Sequence, residues 1–266
     1  MPISPKTRWL LLSTSLVGVA SLTGPVSAQI AEDQIQGNVS IFGGGYQDIE
    51  YKYLTGALLL PTEGALSLQF DGMVGQIDGD SAMGLGAQMF WEIGADYDFG
   101  ILADAFKTDA GGGIEQQHLA ISGGYYSDAF SLYALIGQQY ELNEGTFGML
   151  SASYVPTDDL SISLTHSFQP DSDGTTTIGI DKRFLAGNSS MSLFANAGYV
   201  HDTDSWDTSA GVRIYFGDTR RAEVSRGSNR FRGAGGGVRG LSTTQMFLSM
   251  ASKQVKKYND EQDMVE

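Results

Sequence analysis

The chain contains no cysteine, which excludes disulfide staples, thiolate metal sites and a cysteine nucleophile. Positive charge is scarce over most of its length. From residue 29 to 217 the only basic side chains are Lys52, Lys107, Lys182, Arg183 and Arg213, against 25 acidic ones, a net charge of −20. Beyond the leader there is no apolar run long enough to cross a bilayer as a helix, which takes about 20 residues. Residues 218–266 reverse the balance, with nine basic and six acidic side chains and a net charge of +3. Position 217 therefore divides an acidic body from a mildly basic tail.

What is present is a leader and a repeating period. Lys6 and Arg8 precede an apolar run from Trp9 to Leu22, and Val26-Ser27-Ala28 has the small-x-small pattern of a secretory cleavage site. Residues 1–28 read as a signal peptide, with the mature chain starting near Gln29. From Val39 to Phe216, stretches of about ten residues alternate apolar with small or polar side chains, separated by turn clusters. A tilted strand needs about 9–11 residues to cross the hydrocarbon, so residues 29–217 read as an all-β, antiparallel, up-and-down transmembrane barrel. The 35 glycines lie along strand-like segments as well as turns, where a barrel can use them on its lumen or beside crowded aromatics.

Twelve strands are expected: Val39–Tyr46, Tyr53–Leu60, Ala65–Gln76, Ala82–Glu92, Tyr97–Thr108, Ile114–Tyr126, Phe130–Glu141, Thr146–Val155, Leu160–Phe168, Thr175–Phe184, Met191–Tyr199 and Thr208–Phe216. An even number returns both ends to one side. One set of connections is tight, as at Pro61 to Gly64, Ser127-Asp128, Pro156 to Asp159 and Gly187 to Ser189, and suits periplasmic hairpins. The other set, including Asp78 to Asp80, Asp109 to Gly113, Asn143 to Gly145, Pro170 to Gly174 and His201 to Asp207, is expected to be longer and to face outside.

Within strands the two faces separate. Leu160, Ile162 and Leu164 alternate with Ser161, Ser163 and Thr165, and Val212, Ile214 and Phe216 alternate with Gly211, Arg213 and Tyr215. Apolar members would face lipid and the others the lumen. The same rule turns Gln69, Asp71, Gln88, Glu92, Asp104, His118, Tyr133, Gln139, Asp181, Arg183 and Arg213 inward, as candidate pore-lining residues. Trp91, Tyr97, Tyr125, Phe130, Phe184, Tyr199 and Phe216 sit near strand ends, where interfacial girdles form. The rival all-β reading, a soluble sandwich, calls for more Lys and Glu on solvent-facing strand positions than the Gly, Ser, Thr and Gln found there.

Several stretches also carry a resemblance: Leu58-Leu59-Leu60-Pro61, Leu66-Ser67-Leu68-Gln69-Phe70-Asp71-Gly72, Gly84-Leu85-Gly86 to Phe90-Trp91, Tyr154-Val155-Pro156-Thr157-Asp158-Asp159-Leu160, and Gly211-Val212-Arg213-Ile214-Tyr215-Phe216-Gly217. Over about residues 58–217 the chain resembles uncharacterised porin-like outer-membrane β-barrel proteins of alphaproteobacteria. The resemblance implies fold and location and supplies no catalytic residue. Gly211 to Phe216 also resembles the closing-strand signal that hands outer-membrane barrels to their assembly machinery, although here about fifty residues follow it.

In the tail, Arg220, Arg221, Arg226, Arg230, Arg232 and Arg239 stand among Gly and Ser, a composition that cannot bury a core. Residues 245–257 can form a short helix with Met246, Phe247, Met250 and Val255 on an imperfect apolar face. A periplasmic tail is expected, either solvated or touching anionic lipid heads, peptidoglycan or a periplasmic partner. Nucleic acid is set aside, since apart from Phe231 no aromatics interleave the arginines.

Catalysis is not expected. His166 and Ser167 are adjacent, so a strand sends them to opposite faces, and His118 has no evident serine partner. Asp78-Gly79-Asp80, Asp171-Ser172-Asp173 and Asp202-Thr203-Asp204 pair carboxylates in a way that suits hard cations, yet none has the spacing of a dedicated calcium loop. They are read as solvated loops or weak bridges to lipopolysaccharide phosphates, and no metal or cofactor is expected. Gly43 to Gly45 and Gly111 to Gly113 lack the Lys-Ser/Thr and the helix of a phosphate cradle. The sequence thus points to a porin-like passive diffusion channel of the outer membrane for small solutes or cations. The alternative is a non-transporting structural or interaction barrel of the envelope.

Overall fold

The computed structural model describes residues 36–61, 65–94, 96–127, 129–141, 144–157, 159–170, 172–186, 189–216 and 255. Twelve strands follow one another: β1 (Gln36–Tyr46), β2 (Ile49–Pro61), β3 (Leu66–Ile77), β4 (Asp80–Ile93), β5 (Tyr97–Thr108), β6 (Ile114–Tyr126), β7 (Phe130–Glu141), β8 (Gly145–Thr157), β9 (Leu160–Gln169), β10 (Ser172–Ala186), β11 (Ser189–Val200) and β12 (Ser205–Phe216). Each pairs antiparallel with its sequence neighbours, and β12 returns to β1 with Gly37 opposite Phe216 and Tyr46 opposite Asp207. The barrel is closed, so among the described residues no strand edge is left unpaired, which is what a sheet in hydrocarbon requires.

The period of two separates the faces all round. Ile41, Leu85, Ile121, Leu164, Ile178 and Leu193 are exposed on the outside, while Gln69, Gln88, His118, Gln139, Arg183 and Arg213 are buried on the inside. Apolar residues outward and polar residues inward invert a soluble core; this is the signature of a lipid-facing barrel. The aromatics expected at the interfaces stand on outward positions near the rims. Tyr97 and Tyr125 have ring centroids 5.2 Å apart, Phe130 and Tyr154 4.9 Å, and Tyr199 and Trp206 5.4 Å.

Strands β5, β6 and β7 have the expected bounds, β3 is shifted by one residue, and the others run one to several residues further, as at Ile49 in β2, Ser172 in β10 and Ser205 in β12. Ladder pairing continues into polar residues beyond the apolar band, where the hydropathy alternation has faded. The expected contrast between tight and long connections is lost with this extension. Asp78 and Gly79 form a two-residue hairpin with φ of 51° and 89°, the left-handed pair that Asp-Gly favours. Connections are short at both rims. We call the rim where β1 starts and β12 ends the terminal rim, and the opposite one the distal rim. The expected signal peptide, residues 1–28, lies outside the described residues, as does the tail 218–266 except for Val255. That residue is helical, inside the expected helix 245–257.

Candidate functional site

The inner wall is the candidate site. All eleven inward-read side chains occupy inward positions of their strands, and register gathers them into two groups. On β3 to β7, a row runs across five strands: Asp71 pairs with Gly86, Gly86 with Asp104, Asp104 with His118, and His118 with Gln139. The Gln69 amide donates to both Asp71 carboxylate oxygens at 2.7 and 3.0 Å, and Gln88 donates to Asp71 Oδ2 at 3.2 Å. His118 Nδ1 lies 2.6 Å from Asp104 Oδ1, its Nε2 lies 3.2 Å from Gln139 Oε1, and its ring packs on Phe147 with centroids 4.6 Å apart. Gly86 keeps the row open: a Cβ there would meet Asp104 Cβ at 3.4 Å and Asp71 Cβ at 3.7 Å.

The second group lies on β10, β11, β12 and β1, where Arg183 pairs with Ser192, Ser192 with Arg213, and Arg213 with Ser40. Arg213 Nη1 donates to Asp181 Oδ2 at 3.0 Å and to the Tyr215 hydroxyl at 3.3 Å, while Nε donates to Ser40 Oγ at 3.0 Å. Ser192 Oγ donates to the same Asp181 oxygen at 3.3 Å. The Arg183 guanidinium lies 4.3 Å from the Tyr215 ring centroid, and that of Arg213 4.6 Å from the Phe194 centroid. Phe194 and Tyr215 thus carry the flat, delocalised cations by cation–π contact.

In a ring of twelve strands β5 is diametrically opposite β11, so the carboxylate row faces the arginine group across the lumen. Tyr133 and Glu92 stand apart from both groups. Tyr133 is buried with Leu102, Leu135 and Met149 in an apolar inner patch, and Glu92 sits at the terminal end of β4. An aromatic patch at Phe42, Tyr51 and Tyr53 escaped the sequence reading. Phe42 and Tyr53 have centroids 5.6 Å apart, and Tyr51 donates to Asp207 Oδ1 at 2.6 Å. Extending the β2 alternation backward from Tyr53 to Ile49 would have found it.

No family model matches the chain, and no curated protein matches its sequence. Solved structures do match. The KdgM porin superposes with a TM-score of 0.53 and 9% identity over 67% of this chain and 99% of its own. The same porin in complex with disordered oligogalacturonate gives the same values. The outer membrane phospholipase A from Escherichia coli follows at 0.48 and 10% identity, over 68% and 92% of the two chains, too distant to bear on chemistry. Likeness at this identity shows the fold alone. By fold this chain is a closed, twelve-stranded antiparallel β-barrel, similar to those of outer-membrane proteins.

The remaining sequence candidates fall into structural roles. His166 lies outward, its Nδ1 3.0 Å from Thr176 Oγ1, while Ser167 is buried inward, so the two are on opposite faces. Asp202 accepts from Ser172 Oγ at 2.6 Å and from the Asp173 amide, and Asp204 accepts from the Tyr199 hydroxyl at 2.7 Å. These carboxylates tie the distal connections together. Among the described residues no group of three or more His, Asp or Glu is placed to hold a metal.

Proposed function

We propose that this chain is a porin-like passive diffusion channel of the outer membrane, non-enzymatic, admitting small neutral solutes and cations. The observation that carries the reading is the inner wall. A closed barrel of twelve strands is wider than the eight-stranded kind that side chains just fill, and it sets Asp71 and Asp104 against Arg183 and Arg213 across that space. Charges of opposite sign on facing walls create a transverse field that orients and sorts solutes. Acidic residues Asp71, Glu92, Asp98, Asp104, Glu141, Asp181 and Asp207 at inward positions outnumber the two arginines, which favours cations.

The setting of His118 supports a channel over an enzyme. His118 has each ring nitrogen turned to Asp104 or Gln139, leaving none aimed at a nucleophile. Kinship with alphaproteobacterial porin-like barrels rests on the motifs of residues 58–217. The outer surface would meet lipid and lipopolysaccharide, and Gly211 to Phe216, on the strand that closes the barrel, would serve recognition by the assembly machinery.

Planar-bilayer recording of the refolded mature chain in a salt gradient tests the reading. A cation-preferring reversal potential is expected. A folded barrel that passes no current overturns the channel in favour of a structural barrel.

A further inference from the structure

We propose that His166 and His201 form a site for a divalent late transition metal, with Zn2+ as its probe, on the outer face of the distal rim; the site does not depend on whether the barrel conducts. The chain has three histidines. His118 is buried on the inner wall, while the other two are exposed and converge on one side chain: His166 Nδ1 lies 3.0 Å and His201 Nε2 2.9 Å from Thr176 Oγ1. Their ring centroids are 5.8 Å apart. Two imidazoles on one tetrahedral zinc, with Zn–N bonds of about 2.0–2.1 Å, have ring centres about 5 Å apart. A small rotation of two exposed side chains therefore brings the pair to chelating distance.

The hydroxyl between the rings has one proton, so it donates to one ring nitrogen and the other must donate to it. A cation between the rings takes both nitrogen lone pairs at once and leaves Thr176 Oγ1 at hand as an oxygen ligand. Register holds the parts in place. Thr176 on β10 pairs with His166 on β9 and with Tyr199 on β11, and Tyr199 pairs with Trp206 on β12, so four outward side chains form one row. His201 follows in the connection between β11 and β12, its ring edge-on to Tyr199 with centroids 5.2 Å apart. The Tyr199 hydroxyl is in turn held by Asp204 at 2.7 Å. Ligands ordered in advance lose little freedom on binding.

Charge decides the sign of the ligand. Asp173, Asp202 and Asp204 stand beside the pair, and residues 169–177 and 199–208 contain no Lys or Arg. Asp202 already accepts from Ser172 Oγ and the Asp173 amide, and Asp204 from Tyr199, so these carboxylates supply a negative field more than they supply ligands. That field draws cations and repels phosphate. Imidazole nitrogens then select zinc, copper or nickel over magnesium and calcium, which prefer oxygen. A bound ion would tie the connection at residues 201–203 to β9.

The test uses the refolded mature chain without an affinity tag, so that its three histidines are the only imidazoles present. With 15N-labelled histidine, Zn2+ is expected to shift the ring signals of His166 and His201 and to leave that of His118 in place, whereas Mg2+ shifts none. Calorimetry should give one Zn2+ per chain. His166→Gln and His201→Gln, each shown to fold by its fast-migrating band on unheated gels, should weaken Zn2+ binding on the order of tenfold or more, because a single imidazole loses the chelate. Unmoved His166 and His201 signals in the native chain overturn the site. So do folded single variants that bind Zn2+ as tightly as the native chain.

Discussion

Arg213 reaches over the whole of β11 to bring its Nη1 within 3.0 Å of Asp181 on β10, with its side chain completely buried. The gap is bridged because Ser192 lies between the two strands and is too small to obstruct. Ser192 also donates to the same carboxylate oxygen, so one short residue serves as spacer and hydrogen-bond partner.

Removing one partner of this pair leaves the other charge buried without compensation. Arg213→Ala is therefore expected to destabilise the barrel by about 3–5 kcal/mol, read from urea unfolding in lipid vesicles. Asp181→Ala combined with Arg213→Ala should fall short of the sum of the single losses. Additive losses would show that the pair does not couple.

The carboxylate row should set selectivity. Asp71→Asn and Asp104→Asn keep the side-chain shapes, and one acceptor oxygen each beside Gln69 and His118, while removing charge. Reversal potentials should shift toward equal permeability for anions and cations, and Arg183→Ala should shift them the opposite way.

On the outside, Leu85 is 75% exposed near the middle of β4. Leu85→Arg places a charge in the centre of the lipid face and should lower stability by about 2–4 kcal/mol. A negligible loss in the same unfolding measurement would argue that this face is not in hydrocarbon.

Glycine at 44 is a matter of space. A Cβ there would fall 2.1 Å from the Thr208 carbonyl oxygen and 2.6 Å from the Tyr51 hydroxyl, at the β1–β12 junction that closes the barrel. Gly44→Ala should lower the refolded fraction, seen as loss of the fast-migrating folded band on unheated gels. Gly79, at φ 89° with open space around it, should lose only the backbone strain of about 1–2 kcal/mol when changed to alanine.

At the terminal rim, the Lys182 ammonium donates to Asp159 in the β8–β9 turn and holds its carboxyl below the ordinary carboxylate value, with Thr157 adding a second hydrogen bond. A depressed folded-state value means the stabilisation is complete above the ordinary carboxylate pKa and is lost as pH falls through the folded one. Both side chains are well exposed, so the effect is small and screened by salt. The Asp159 carboxyl should titrate by NMR at lower pH than a free aspartate, and Lys182→Met should raise its midpoint.

Strand number and the inner or outer face of each side chain were legible in the sequence. Alternation has a period of two, so one lipid-facing residue such as Ile162 or Val212 determines the face of every neighbour in its strand. The same logic placed Gln69, Asp104, His118 and Arg213 inward. It missed Tyr51 because polar Glu50 and Lys52 flank it and blur the edge of the apolar band. It overestimated the distal connections because backbone pairing outlasts hydropathy.

By itself, then, the sequence determined the strand count, the two faces and the aromatic belts, all of which depend on local period and composition. Only the tertiary structure decided that Asp71, Asp104, His118 and Gln139 form one row, that Arg213 meets Asp181 across β11, and that Val255 rests on Gly111. Those contacts depend on register and closure, and register joins residues far apart in the chain by hydrogen bonds whose partners no local pattern names.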